Sequence, residues 1–241
     1  MNDTPHTNGR SPFLHGLSDE ARTALEHVGT RRRFAAGDVL INEGDHAQDL
    51  VLLHLGVAKV TGRLDCGRTS LLDIRIAGDV VGEVAALDLG PRTATVTACG
   101  DVVATVIPGT ELPTLTRTAP EMFSALSQVV CDRLRRSDRL RLEFGGYPVP
   151  VRLARVLVEL AESYGRRERS SVRIEVSLTQ AELGALIGSK PSTVHKRLTD
   201  LRRAGLITTG ERQTYVRDLA RLREVARLSM PATRRTSQRT A

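Results

Sequence analysis

Only three cysteines occur in the 241 residues, Cys66, Cys99 and Cys131, and no two of them form a CxxC pair. An odd number spaced so far apart excludes a disulfide framework and supports no zinc site, so each is read as an ordinary partly buried thiol. The six histidines form no HxxxH or HxH pair, which leaves a metal site without a motif. No apolar run approaches the ~18 residues of a membrane span, and the polar start MNDTPHTNGR has no signal-peptide core. A cytoplasmic protein with no membrane partner is therefore expected. No nucleophile–base motif, metal spacing or Walker loop is present, so the chain is not expected to be an enzyme. Nothing repeats at a fixed long period, which excludes a propeller or solenoid.

Positive charge is in excess. The formal net charge of +7 suits a polyanionic partner, nucleic acid being the usual one. The length allows two modest domains, each with its own core.

Residues 1–11 are polar and expected to be disordered. Next, Leu17, Ala21, Leu25 and Val28 recur at helical spacing behind Ser18, a candidate N-cap. Over residues 31–107, short alternating stretches (Val39 to Ile41, Leu50 to Leu55, Ala58 to Val60, Ser70 to Ile76, Thr93 to Val106) are separated by glycines. That spacing predicts a β-sandwich or double-sheet roll. From Pro120 to Phe144 the spacing predicts one long helix with a heptad-like seam at Phe123, Leu126, Val130, Arg133, Ser137, Leu140 and Phe144. Such a seam pairs most naturally with its own copy in a two-fold dimer, with the surrounding arginines as a solvated face. Gly145-Gly146-Tyr147-Pro148 is expected to break the helix and act as a hinge. Beyond it come a second amphipathic helix, Val149 to Tyr164, a charged loop at 165–171 and a short strand, Val172 to Val176.

Thr179-Gln180-Ala181-Glu182 is a capping box opening a short helix that stops at Gly188. Ser189 can cap the next helix, and Pro191 fits its first turn. That second helix is apolar at Val194, Leu198 and Leu201 and polar at Ser192, His195, Lys196 and Thr199. Two helices joined by a tight glycine turn form a helix-turn-helix, and the polar stripe has the groups that base edges and phosphates require. Thr179, Gln180, Lys190, Ser192, Thr193, His195, Lys196 and Thr199 are the candidate DNA contacts. Residues 205–216 read as a hairpin wing and 218–228 as a closing helix.

The remaining motif is Gly82 to Ala98, GEVAALDLGPRTATVTA. A glycine that lets backbone approach a ligand, a short helix N-terminus and an arginine fork together suit a phosphorylated sugar. Gly82-Glu83, the apolar run and Pro91-Arg92-Thr93-Ala94-Thr95 resemble the phosphate-binding cassette of cyclic-nucleotide-binding domains. With the helix-turn-helix downstream, residues 12–228 resemble the cyclic-AMP receptor protein family of bacterial regulators.

The resemblance implies an α+β chain: an N-terminal β jelly-roll sensor at 12–118, a dimerisation helix at 119–145, a winged helix-turn-helix at 146–228 and a basic disordered tail at 229–241. Gly44-Asp45 and Gly56 fall at turn positions of the family's roll. A cyclic nucleotide would be held by Gly82, Glu83, Val84, Arg92 and Thr93, its base meeting Ser137 of one long helix and Asp138 of the partner. The family places a threonine and a serine there. Asp138 can only accept, from the adenine N6 amine of cyclic AMP or from the N1–H and N2 amine of cyclic GMP; cyclic AMP is preferred. Pro191 and Ser192 stand where the family has arginine and glutamate, and Lys196 replaces an arginine, so the operator is expected to differ from that family's best-known palindrome. The partners implied are double-stranded DNA, a second copy of the chain and RNA polymerase. Three alternatives stay open: a vestigial pocket in a ligand-independent regulator, a redox or gas sensor, and an enzyme hydrolysing cyclic nucleotides.

Overall fold

A computed structural model describes residues 13–210 and 213–228. The two expected tails, 1–11 and 229–241, lie outside the described residues. Among the described residues, no helix is long and apolar enough to cross a membrane. All three cysteines are free and exposed, so the expectation of partly buried thiols is corrected: they sit at turns and on the outer side of the long helix.

A 3-10 turn at Phe13–Gly16 leads into α1, Asp19–Val28, whose cap is Ser18 accepting from the Ala21 N–H at 3.2 Å. Eight strands follow: β1 Thr30–Phe34, β2 Val39–Ile41, β3 Leu50–Leu55, β4 Val57–Arg63, β5 Thr69–Ile76, β6 Val80–Val81, β7 Thr95–Ala98 and β8 Val102–Ile107. The short helix α2, Glu83–Asp88, separates β6 from β7. The strands form two antiparallel four-stranded sheets, ordered β1-β8-β3-β6 and β2-β7-β4-β5. The alternation from Thr93 to Val106 divides at residues 99–101, because β7 pairs with β2 and β4 while β8 crosses to pair with β1 and β3.

Strand β3 is buried on both faces. Val51 and Leu53 meet Ile41, Ala58, Val96 and Ala104 between the sheets. Leu50 and Leu52 pack instead beneath α1, α3 (Leu112–Thr118) and the start of α4 (Glu121–Gly146), against Leu25, Leu115, Met122 and Leu126. This second use of β3 explains a correction to the expected dimer seam. Leu126 is fully buried in its own chain, Arg133 is drawn into the β-roll and Leu140 is half-buried beside the C-terminal domain. The apolar side chains that α4 leaves exposed are Phe123, Leu134, Leu142 and Phe144.

The long helix also runs through both expected hinge glycines. Gly145 and Gly146 are helical, and the break comes at Tyr147, extended at φ −126°, ψ 142°. Each helical glycine costs about 1 kcal/mol against alanine. Several contacts hold that last turn: Tyr147 N–H donates to the Glu143 carbonyl at 3.0 Å, Arg155 pairs with Glu143 at 2.8 Å and lies 4.2 Å from the Tyr147 ring. Pro148 then disfavours helix at the residue before it.

The C-terminal domain comprises α5 Val149–Tyr164, β9 Gly165–Glu168, β10 Ser171–Ile174, α6 Gln180–Ile187, α7 Pro191–Arg203, β11 Ile207–Gly210, β12 Gln213–Val216 and α8 Leu219–Val225. Its sheet is ordered β11-β12-β10-β9. The segment expected as a charged loop is instead strand β9, joined to β10 by a ladder and by the cross-strand pair Arg173–Glu168 at 3.1 Å.

Candidate functional site

The first site is a cavity of about 280 Å³ inside the β-roll. Chain direction changes sharply at Gly82, which is left-handed at φ 86° and precedes α2. A Cβ at this position would sit 2.7 Å from the Asp49 carbonyl oxygen and collide with the Arg92 guanidinium, so only glycine fits the backbone and the space. The N–H groups of Glu83, Val84 and Ala85, in the first turn of α2, have no partner within the helix. Gly82, Glu83, Val84, Arg92 and Thr93 all line the cavity, with Ile41, Val60, Val81 and Val96 as its apolar walls.

Arg92 is buried, 5% exposed, yet stands at the end of a loop. Its Nη1 donates to the Gly82 carbonyl at 3.1 Å and its Nη2 to the Asp49 carbonyl at 2.7 Å. Burial pushes its pKa down, while Asp49, Glu83 and Asp45 hold it up, and the group stays charged.

Glu83, also 5% exposed, forms an ion pair with Arg133 of α4, which in addition donates to the Val80 carbonyl. Burial and the like charge of Arg75 lower the Arg133 pKa, and Glu83 opposes them. Sequence reading placed Arg133 on the seam and its neighbours in solvent. The one available signal was a cation interrupting an apolar row, and it names no partner fifty residues away. Asp73 and Arg75 of β5, likewise unforeseen, pair with each other in the cavity wall. Three guanidinium groups thus face two carboxylates, and the excess of one positive charge suits a singly charged anion.

Ser137 and Asp138 do not line this cavity. They lie one turn beyond Arg133, Ser137 half-buried and Asp138 exposed, 3.5 Å from Arg141.

The second site is the α6–α7 pair. Both capping-box hydrogen bonds form: Glu182 N–H to the Thr179 hydroxyl at 3.2 Å and Thr179 N–H to the Glu182 carboxylate at 2.7 Å. Gly188 is left-handed at φ 58°, and a Cβ on Gly184 would lie 2.5 Å from the Ser189 carbonyl oxygen, so the turn closes against the helix. The cap of α7 is Lys190, with no side-chain cap bond, rather than Ser189; Pro191 takes the first helical position and fixes the cap one residue before it. Val194, Leu198 and Leu201 are buried. Thr179, Gln180, Lys190, Ser192, His195 and Lys196 are exposed, and Thr193 and Thr199 are half-buried. Gln180 bonds His195 at 3.1 Å. Arg202, which sequence reading passed over, ties Thr199 of α7 (2.8 Å) to Thr209 of the wing (3.1 Å).

Comparison with known proteins matches both halves. Residues 31–119 match the cyclic nucleotide-binding domain, and residues 151–225 match the Crp-like helix-turn-helix domain. The CRP-like cAMP-activated global transcriptional regulator of Mycobacterium tuberculosis is 30% identical over 218 residues, covering 90% of this chain and 97% of that one. The chain belongs to the CRP/FNR family of transcriptional regulators.

Other members bear this out. The cyclic AMP receptor protein of Thermus thermophilus is 28% identical over 218 residues, with coverages of 90% and 97%. The crystal structure of a CRP-family regulator from the same organism superposes with a TM-score of 0.70 at 27% identity, covering 84% of this chain and all of that one. The protein is thus a DNA-binding CRP/FNR regulator that carries a cyclic-nucleotide-binding domain and a winged helix-turn-helix. Its relatives are regulators, not enzymes.

Proposed function

We propose that this regulator binds its operator as a homodimer in the cytoplasm under the control of a cyclic mononucleotide, cyclic AMP in preference to cyclic GMP. The observation that carries this reading is the convergence of Gly82, Glu83, Val84, Arg92 and Thr93 on one cavity whose wall has a single positive charge in excess. Arg92 and Thr93 hold the phosphate with the N–H groups of α2, and Glu83, oriented by Arg133, accepts from the ribose 2′-hydroxyl. Ser137 and Asp138 complete the base site in the dimer. They lie on α4 one turn beyond Arg133, which lines the cavity, and beside the exposed Leu134, Ser137 meeting the base in its own subunit and Asp138 the base in the partner. A ligand that bridges two subunits favours one arrangement of the α4 pair by its differential affinity for that state.

The exposed polar stripe of α7 enters the major groove, with Ser192, His195, Lys196 and Thr199 toward base edges, Lys190 and Thr193 toward phosphates at the helix start, and Thr179 and Gln180 at phosphates beside α6. RNA polymerase is the further partner at the promoter.

The deciding measurement is the affinity for an operator selected from a random DNA pool, with and without cyclic AMP and cyclic GMP. A rise with either nucleotide supports the reading. Equal affinity in all three conditions, with no nucleotide raising the melting temperature, would leave a ligand-independent regulator. For Lys196→Ala we expect a loss of about 1–3 kcal/mol in specific binding and relaxed preference at one base pair. A footprint and affinity identical to wild type at equal salt would make Lys196 a bystander.

A further inference from the structure

The polar stripe of α7 does not end at Thr199. Ser192, His195, Lys196 and Thr199 are spaced three and four apart, and Arg202 continues the row into the last turn of the helix. Its side chain is exposed yet held on two sides. Nη2 donates to the Thr199 hydroxyl at 2.8 Å and Nη1 to the Thr209 hydroxyl of β11 at 3.1 Å, so one guanidinium bridges α7 and the wing. The Thr199 hydroxyl donates in turn to the His195 carbonyl at 3.0 Å, which leaves its oxygen to accept from Arg202.

These bonds leave capacity to bind an anion. A guanidinium has five N–H donors, and the two threonines take one from each terminal nitrogen. Among the described residues no carboxylate pairs with Arg202, and the Thr209 hydroxyl hydrogen has no acceptor. The other arginines of α7 differ in one respect each. Arg197 is paired with Asp200 at 2.9 Å, whereas Arg203 is exposed with no partner among the described residues to set its rotamer. Position adds to the case, because the last carbonyl groups of a helix repel an anion unless a cation stands beside them.

We propose that Arg202, with the Thr209 hydroxyl beside it, is a binding site for one DNA backbone phosphate at the junction of α7 and the wing. The proposal rests on α7 lying in the major groove as read above. In that docking the first turns of the helix meet base edges. Arg202 stands about 16 Å farther along the axis than Pro191, at about 1.5 Å per residue, and a straight helix follows a curved groove for only part of its length. The last turn therefore faces the strand that borders the groove. There the planar fork matches a phosphate, and the two threonines have already fixed its rotamer, so binding orders little. Such a contact carries no sequence information; it fixes α7 and the wing against the same strand together.

The test compares Arg202→Gln, which removes the charge, Arg202→Lys, which keeps the charge without the fork, and Arg203→Gln, which removes an equal charge one residue on. Affinity of the full-length protein is measured over a series of salt concentrations, for the selected operator and for an unrelated duplex. Arg202→Gln should weaken both by about tenfold or more, and its salt slope should fall by about 0.9 for each phosphate released, about 2 over two half-sites. We expect Arg202→Lys to keep the wild-type slope at intermediate affinity and Arg203→Gln to stay near wild type. Single neutral methylphosphonate linkages, placed in turn along each half-site, locate the contact. One of them should weaken the wild type and leave Arg202→Gln unaffected. An unchanged slope in Arg202→Gln, or no linkage coupled to it, would reduce Arg202 to a tie between helix and wing. Equal losses in Arg202→Gln and Arg203→Gln would also overturn the site, leaving only a general positive field. If Lys196→Ala loses base preference while Arg202→Gln binds as wild type, the phosphate site alone fails; if both bind as wild type, the docking of α7 itself fails.

Discussion

Arg92→Leu is expected to reduce cyclic-nucleotide affinity by about 100-fold or more in titration calorimetry, because it removes charge-assisted hydrogen bonds to the phosphate worth about 1.5–3 kcal/mol each. The geometry explains why one side chain matters so much. Arg92 is the buried cation between the Gly82 turn and the cavity, and two of its five N–H donors already fix it to the Gly82 and Asp49 carbonyls. Binding therefore meets a guanidinium whose rotamer is set beforehand, so little entropy remains to be lost. Arg92→Lys should recover only part of the affinity. An ammonium at the end of a flexible stem cannot span two backbone carbonyls and also present a planar fork to phosphate. An Arg92→Leu protein with wild-type affinity and an intact nucleotide-dependent melting shift would show that the phosphate lies elsewhere.

Arg133→Leu is expected to lower the melting temperature by at least about 6 °C. Removing one member of a buried ion pair leaves the other unpaired, a loss of about 3–5 kcal/mol, and each kcal/mol shifts a chain of this size by about 2–4 °C. Glu83 is the group stranded, with 5% of its surface exposed. Pairing the change with Glu83→Gln should restore much of the loss, since a neutral amide in that wall carries no uncompensated charge. Glu83→Gln keeps an amide oxygen that can accept from the 2′-hydroxyl but removes the charge that strengthens that bond, so the double variant should melt nearly normally yet bind nucleotide more weakly. A double variant no more stable than Arg133→Leu would mean that packing of the arginine stem, not the ion pair, holds α4 to the roll.

Local signals were legible where backbone chemistry is local. Ser18 caps α1, and Thr179 with Glu182 builds the capping box of α6, because those hydrogen bonds span only three residues. Buried Val194, Leu198 and Leu201 follow from helical spacing. Gly82, Glu83, Arg92 and Thr93 converge because they lie within twelve residues of a strand, a one-and-a-half-turn helix and a loop that must fold back.

Local signals misled where partners were distant. Two adjacent glycines read as a hinge, but Arg155 and Tyr147, from the segment beyond, hold that turn in the helix. Heptad spacing proposed Leu126 and Arg133 for the dimer face, whereas the underside of β3 takes the first and Glu83 takes the second. Periodicity marks which residues share a face, not what stands opposite.

The amino-acid sequence by itself determined the two-domain order, the two-sheet roll, the helix-turn-helix and the residues from Gly82 to Thr93 that line one cavity, since each depends on short-range spacing and turn chemistry. Only the tertiary structure decided which cations enter the cavity, which side chains α4 leaves exposed, and that Leu71 and Ile74 of β5 join the apolar core of the DNA-binding domain. Those outcomes depend on charges and apolar surfaces brought together across 50 to 120 residues of chain. At that separation no spacing in the sequence distinguishes a partner from a bystander.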